Sequence, residues 1–308
     1  MRRRTLAALG GAMIVGTISG CLGTGDRDSR DVEEHLETAA DHLDTAGEEF
    51  DAVSDRVSHL DDGLGYSTET VDVAIAEARV ELEIAEDANP SSSQEEAINQ
   101  LSHLLNALEH SATGYGTFLS MLDYFDLVET YLGADRVDDA HTELDFAEES
   151  RQLTVEELGQ ALDALEAYDP VDLDADLAVI HWRQRIETTK MTAEDLEYLL
   201  EGWGYRIEGW DLFLAGIDDV DAGEYEAATE TFWAAHETFD QAYDVYEDGE
   251  VSADGELRHT YIRQRCEMGN ARKASEIAQE AAMEFDDGIR SEGLDLLNEA
   301  RDVLTESC

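Results

Sequence analysis

Apolar residues recur at intervals of three and four along most of the chain, and this spacing places them on one face of an α-helix. The clearest stripe falls in residues 31–60, where its members are Val32, Leu36, Ala39, Leu43, Ala46, Phe50, Val53 and Val57. Runs that alternate with period two, which would indicate strands, are rare from residue 31 onward. The pattern therefore predicts an all-α fold.

The breaks in this pattern set the expected helices. Two prolines occur, Pro90 and Pro170, and both lie where the apolar spacing is interrupted. Glycines at 114 and 116 and at 202 and 204 suggest further breaks. The predicted helices are 31–60, 68–88, 94–114, 117–132, 136–168, 173–203, 205–220, 225–246, 252–286 and 289–306. We expect an N-terminal helical region at 31–169 and a C-terminal one at 170–308.

One pair of predicted helices carries a repeat-like signature. The first helix has Leu212, Ala215, Gly216 and Asp219, the turn has Gly223 and Tyr225, and the second helix has Ala228, Phe232 and Ala235. This unit resembles a tetratricopeptide repeat, although Asp219 replaces the large residue that the family prefers and no proline follows Ala235. The resemblance implies antiparallel helix hairpins stacked as a solenoid. An irregular helical bundle without a true repeat stays open as the alternative.

Two weaker copies of the same signature occur elsewhere. One lies 88 residues earlier, with Asp135 at the place of the turn glycine; its members are Tyr124, Leu127, Tyr131, Val137, Ala140, Leu144 and Ala147. The other is the variant Gly293, Leu297 and Ala300, and the bare spacing recurs at Ala39-Leu43-Ala46 and at Ala78-Leu82-Ala85. Any alanine-rich helix hairpin can show this spacing, so these copies add little by themselves.

The N-terminus has the composition of an export signal. Arg2, Arg3 and Arg4 precede an apolar run at 6–18, which is too short to span a bilayer comfortably. Arg3 and Arg4 resemble a twin-arginine export signal, and the small residues before Cys21 resemble a lipobox. The resemblance implies a signal peptide at 1–20, a lipid on Cys21 and a tether at 21–30. We therefore expect a protein anchored by its lipid to the outer face of the cell membrane.

The large excess of acidic residues bears on which kinds of molecule this protein can bind. The chain has 74 acidic and 20 basic residues, a formal net charge of −54, and its only lysines are Lys190 and Lys273. This composition resembles that of proteins from extremely halophilic archaea, in which molar salt screens the repulsion between carboxylates. With no basic patch to meet phosphates, nucleic acid is not expected as a partner, nor is direct binding to anionic lipid heads.

Two cysteines besides Cys21 are placed for a disulfide. Cys266 precedes Asp287 by 21 residues, and Cys308 follows it by the same distance. If the last two helices fold back at this point, equal distances from the turn place the two cysteines side by side, as a disulfide requires. Outside the cell such a bond persists. Two buried or free thiols are the alternative.

No catalytic constellation is visible. The chain has no glycine-rich phosphate loop, no nucleophile elbow and no His-Glu-x-x-His zinc motif. We therefore expect no enzyme, no cofactor and no metal site. Four histidines, spaced by seven in two pairs, would be the ligands if this expectation failed; they are His35, His42, His103 and His110.

A dense aromatic stretch is the candidate binding surface, and its members are Trp203, Tyr205, Trp210 and Phe213. Aromatic residues dominate binding hot spots, although such residues also fill protein cores. The expected function is a lipid-anchored helical-repeat scaffold that binds another cell-surface protein. The alternative is a small-molecule or metal-binding lipoprotein that serves a transport system.

Overall fold

A computed structural model of the chain describes residues 27–57, 69–168, 173–253 and 255–308. The predicted export signal, with Arg3, Arg4 and Cys21, lies outside these residues. Every regular element within them is an α-helix, so the prediction of an all-α fold is confirmed. The helices are α1 Arg27–Val57, α2 Glu69–Asp87, α3 Ser92–Leu132, α4 Val137–Ala167, α5 Leu173–Ala222, α6 Tyr225–Ser252, α7 Gly255–Asp286 and α8 Arg290–Leu304.

Two of the predicted breaks are wrong. Helix α3 continues through Gly114 and Gly116, and α5 continues through residues 202–204. At Gly114 the missing side chain makes room for Leu158, whose Cγ would lie 2.7 Å from an added Cβ. Glycine at such a position lets a neighbouring side chain pack directly on the helix backbone. A glycine that serves packing in this way does not end the helix.

The helices form two compact units that do not follow chain order. Unit 1 comprises the described residues of Met1–Ser120 and Gln152–Ala193, and unit 2 comprises Met121–Arg151 and the described residues of Glu194–Cys308. This division differs from the predicted boundary at 169–170. Helices α3, α4 and α5 contribute residues to both units, so the proline between α4 and α5 does not separate them.

Unit 1 buries the apolar stripe that opens the chain. In α1 every member of the stripe up to Phe50 is buried, and these residues face the buried side of α2, which includes Val71, Ile75, Ala78 and Leu82. The ring of Phe50 lies 5.6 Å from the ring of Tyr115 and 6.4 Å from that of Trp182. This aromatic group joins α1, α3 and α5 within the unit.

Unit 2 contains three helix hairpins with the same turn. The hairpins are α3/α4, α5/α6 and α7/α8, and each turn contains one residue in the left-handed region: Asp135 (φ 56°), Gly223 (φ 79°) and Gly288 (φ 80°). The N–H of that residue donates to the carbonyl three residues earlier, and the next N–H donates to the carbonyl five residues before it. This is the Schellman pattern of helix ends, and it explains why glycine is favoured there.

The residues after each turn are also equivalent. Five, nine and twelve positions beyond the left-handed residue lie a small, a large and a small side chain; the three sets are Ala140-Leu144-Ala147, Ala228-Phe232-Ala235 and Gly293-Leu297-Ala300. All are buried except Leu297, which is half-buried. The clear sequence copy and the two weaker ones that follow a turn therefore occupy one structural position, and unit 2 is a helical-repeat assembly.

The contact between α5 and α6 follows a seven-residue period. Gly202, Gly209 and Gly216 of α5 face Tyr246, Phe239 and Phe232 of α6, respectively. Successive members on each helix are seven residues apart, and the two series run in opposite directions, as an antiparallel pair requires. The glycines let the aromatic rings approach the α5 backbone closely.

A disulfide joins Cys266 of α7 to Cys308, which follows α8, with a Cα–Cα distance of 5.9 Å. This is the pair that the equal distances from Asp287 indicated. The bond fixes the chain end to the α7 helix.

Candidate functional site

Trp203 and Phe213 are core residues, with 2% and 4% of their surface exposed. The guanidinium of Arg206 lies over the Trp203 ring at 4.3 Å from its centroid. Phe213 packs against Phe232 of α6, with ring centroids 5.4 Å apart. The prediction of a docking surface lined by all four aromatic residues is therefore wrong for these two, because packing inside unit 2 covers them.

Tyr205 and Trp210 are half-exposed, but they do not share a face of α5. At about 100° per residue, the side chains of Trp203 and Trp210 leave the helix axis in nearly the same direction. The side chain of Tyr205 leaves it about 160° away from that of Trp203. The indole N–H of Trp210 donates to the Asp135 carboxylate over 3.3 Å. These two residues thus offer separate, partly exposed contacts and no continuous aromatic groove.

Arg206 connects the second and third hairpins of unit 2. Its Nη1 donates to Oε1 of Gln264 over 2.6 Å and to Oε2 of Glu267 over 2.9 Å. Hydrogen bonds to a charged donor are stronger than neutral ones, and here they satisfy the buried Gln264 amide oxygen. The sequence reasoning missed this residue, although its place beside Trp203 in a chain with few bases was the available signal.

The most exposed tryptophan lies on α6. Trp233 has 48% of its surface exposed, and its ring stacks on His236 at a centroid distance of 5.4 Å. Nδ1 of His236 donates to the backbone carbonyl of Arg272 over 3.2 Å, which holds the imidazole in place. This pair is a partly exposed aromatic surface on the second helix of the middle hairpin.

Three of the four histidines considered as metal ligands each meet a different glutamate. Nδ1 of His35 lies 2.6 Å from Glu81, that of His42 lies 3.2 Å from Glu77, and that of His110 lies 2.8 Å from Glu157. His103 is half-buried on α3. Across residues 31–50, 69–168, 179–253 and 257–308, no group of three or more His, Cys, Asp and Glu side chains is arranged to hold a metal ion. His35 and His42 link α1 to α2, and His110 links α3 to α4, within unit 1.

Two buried tyrosines of unit 2 have pKa values well above the usual range, chiefly because burial disfavours the charged phenolate. The Tyr261 hydroxyl donates to the backbone carbonyl of Asp195. The Tyr246 hydroxyl finds no hydrogen-bond partner in the described part of the chain. Both rings press on glycines, Tyr246 on Gly202 and Tyr261 on Gly249, so they are packing residues.

Two open grooves flank helix α2 in unit 1. One, of about 380 Å³, lies toward α1 and is lined by His42, Val73, Ala76, Glu77, Val80 and Glu81. The other, of about 660 Å³, lies toward α3, and its lining includes Ala76, Arg79, Glu109, Gly116, Thr117 and Ser120. Arg79 and Glu109 form an ion pair across the second groove. The sequence reasoning did not identify this surface.

Searches against known proteins return no likeness: no protein-family model, no curated protein and no solved structure matches this chain. None of the described helices is long and apolar enough to cross a membrane.

Proposed function

We propose that this chain is a lipid-anchored, extracytoplasmic helical-repeat protein that acts as a protein-binding scaffold at the cell surface. The observation that carries the proposal is the set of three equivalent hairpins in unit 2, with the same left-handed turn and the same small–large–small packing residues. Repeat assemblies of this kind stack helices side by side and expose extended surfaces that other proteins bind.

The middle hairpin supplies the exposed aromatic residues that such a surface needs. Trp233 is 48% exposed and is held by stacking on His236, while Tyr205 and Trp210 are half-exposed on α5. A rigid, partly exposed tryptophan buries a large apolar area on binding and loses little side-chain entropy. We place the principal contact at Trp233, since Trp203 and Phe213 are needed in the core.

The site of action follows from the N-terminal pattern. In the proposal, Arg3 and Arg4 direct export, and a lipid on Cys21 holds the folded helices outside the membrane. Stable anchoring requires two acyl chains, because a single chain binds a bilayer only marginally. The alternative function, a metal-binding lipoprotein, gains no support from His35, His42 and His110, each of which bonds a glutamate of its own.

The test is site-specific photo-crosslinking on intact cells at their native salt concentration. A photoreactive amino acid replaces Trp233 in one strain and Val251, which is 84% exposed on the same helix, in the control strain. We expect a reproducible adduct with one surface protein from position 233 and none from position 251. Recovery of the protein without an adduct, or equal adducts from both positions, would contradict the scaffold function.

The same cells test the anchor. Cys21→Ser should release the protein from the membrane fraction into the medium, and mass spectrometry of the wild-type N-terminal peptide should show a lipid on Cys21. An unmodified Cys21 in a membrane-bound protein would contradict this part of the proposal.

A further inference from the structure

Helix α2 is apolar on two opposite sides, and only one of them is buried. Its inner side, with Val71, Ile75, Ala78 and Leu82, belongs to the core of unit 1. On the outer side Val73, Val80 and Ile84 are 50%, 52% and 41% exposed. We propose that this outer stripe docks an amphipathic helix of another protein, whose apolar seam is flanked by lysine and arginine.

The spacing of the stripe suits a helix as the partner. Val73, Ala76, Val80 and Ile84 follow one another at intervals of three, four and four, and all four are exposed. At about 100° per residue they fall within an arc of about 80°, which is the narrow seam that a second helix covers in a two-helix contact.

The surroundings of the stripe suit the same occupant. Ala76 lines both grooves that flank α2, and Val73 and Val80 line the one toward α1, so this part of the stripe borders two depressions. Helices associate by fitting the side-chain ridges of one into the grooves of the other. The grooves therefore have room for the side chains that flank the seam of an incoming helix.

The charges beside the stripe indicate which kind of helix can dock on it. Helix α2 has seven acidic residues and one base, Arg79, which already pairs with Glu109. Exposed carboxylates border the stripe on both sides; they are Asp72, Glu77, Glu83, Glu86 and Asp87. A second copy of this chain would bring the same charges into contact, and like charges placed together across an interface are destabilising. Lysine and arginine on the partner complement this border.

The apolar and charged parts of the surface have different roles. At molar salt the Debye length is about 3 Å, so only close ion pairs keep their strength. The apolar seam therefore supplies most of the affinity, and the carboxylates reject acidic partners. This inference rests on the proposed function in assuming a protein partner, but it concerns unit 1 and does not involve the Trp233 surface.

The test uses two synthetic peptides of the same length with the same leucine and isoleucine seam, one flanked by lysines and the other by glutamates. Each peptide carries a fluorophore and is titrated with the full-length protein in molar NaCl, with fluorescence anisotropy as the readout. We expect the lysine peptide to bind at least tenfold more tightly than the glutamate peptide. Equal binding of the two peptides, or no binding of either, would overturn the proposal.

A pair of variants locates the binding. Val80→Asp should weaken binding of the lysine peptide at least tenfold, whereas Val251→Asp, an equal change at an exposed valine of α6, should leave it unchanged. Val80→Ser serves as a milder variant, and circular dichroism checks that each variant retains its helix content. Equal effects of the two aspartate variants would show non-specific attraction and overturn the proposal.

Sedimentation velocity tests the other possible occupant of the stripe, a second copy of this chain. If the wild-type protein forms a dimer that Val80→Asp dissociates, the stripe is a self-association surface and the proposal of a basic partner is wrong. Failure of the peptide experiments together with a persistent adduct at position 233 would refute the α2 surface alone. Peptide binding at α2 without that adduct would refute the Trp233 surface alone.

Discussion

At the residue scale, Asp44 of α1 illustrates a carboxylate whose ionisation opposes folding. Burial raises the pKa of Asp44 above its usual value, and the charges of Glu48 and Asp41 raise it further. The folded state therefore holds this proton more tightly than the unfolded chain does. The ionised group destabilises the fold at neutral pH, and this destabilisation disappears as the pH falls through the raised pKa.

Asp44→Asn is accordingly expected to raise the melting temperature at neutral pH, with a gain that shrinks toward zero as the pH is lowered. Thermal unfolding followed by circular dichroism at several pH values measures this gain. Glu37→Gln, which removes one charge from an exposed position of the same helix, is the control. A gain for Asp44→Asn that does not depend on pH would contradict the assignment.

The two buried tyrosines predict opposite responses to loss of a hydroxyl. Tyr246→Phe removes a buried hydroxyl without a partner among the described residues. The free energy of unfolding should therefore stay unchanged or rise by up to about 1 kcal/mol. Tyr261→Phe removes the donor to the Asp195 carbonyl and should destabilise by about 1 kcal/mol. Denaturant titration in molar salt compares the two variants. A larger loss for Tyr246→Phe would mean that its hydroxyl is bonded after all.

At the element scale, the interior glycines act through packing. An added Cβ at Gly209 would lie 2.7 Å from Cε1 of Phe239, whereas at Gly116 it would meet no atom within 4 Å. Gly209→Ala should therefore destabilise the protein by about 1–3 kcal/mol, because the aromatic ring has to shift. Gly116→Ala should stabilise it by about 0.5–1 kcal/mol, because alanine favours the helix. Denaturant titration of both variants is the check, and equal effects would contradict the packing role.

This contrast explains which elements could be predicted from sequence. The all-α fold and the turns at Gly223 and Gly288 depend on local patterns, so the sequence indicated them. The sequence around the glycines of α3 and α5 could not predict that these helices continue, because a glycine can either end a helix or make room for a side chain of a neighbouring helix. The ring or side chain that packs on such a glycine, as Phe239 does on Gly209, lies on another helix and becomes known only from the packing.

The candidate site was predicted less well, for a related reason. Trp203 and Trp210 lie on nearly the same side of α5, yet one is buried and the other is half-exposed. Their difference depends on which other helices cover each position, and no periodicity in one helix contains that information. The α2 stripe was missed because Val73 and Val80 look like core residues in the sequence.

At the scale of the whole molecule, the formal charge of −54 makes stability depend on salt. The melting temperature should rise with NaCl concentration, and most of the rise should occur below about 1 M, where the Debye length falls from about 10 Å to about 3 Å. Calorimetry across a salt series measures this rise. A parallel series in sucrose, which does not screen charge, is the control; an equal rise in sucrose would contradict an electrostatic cause.

The Cys266–Cys308 bond has a consequence for limited proteolysis of this protein. It closes the part of α7 after Cys266, the turn at Gly288 and α8 into a covalent ring, with the two cysteines 42 residues apart in sequence. A protease that cuts this turn leaves both pieces attached, so the nicked protein keeps its full mass on a non-reducing gel and separates only after reduction. The last hairpin can thus be cleaved at its turn without either piece being released from the protein.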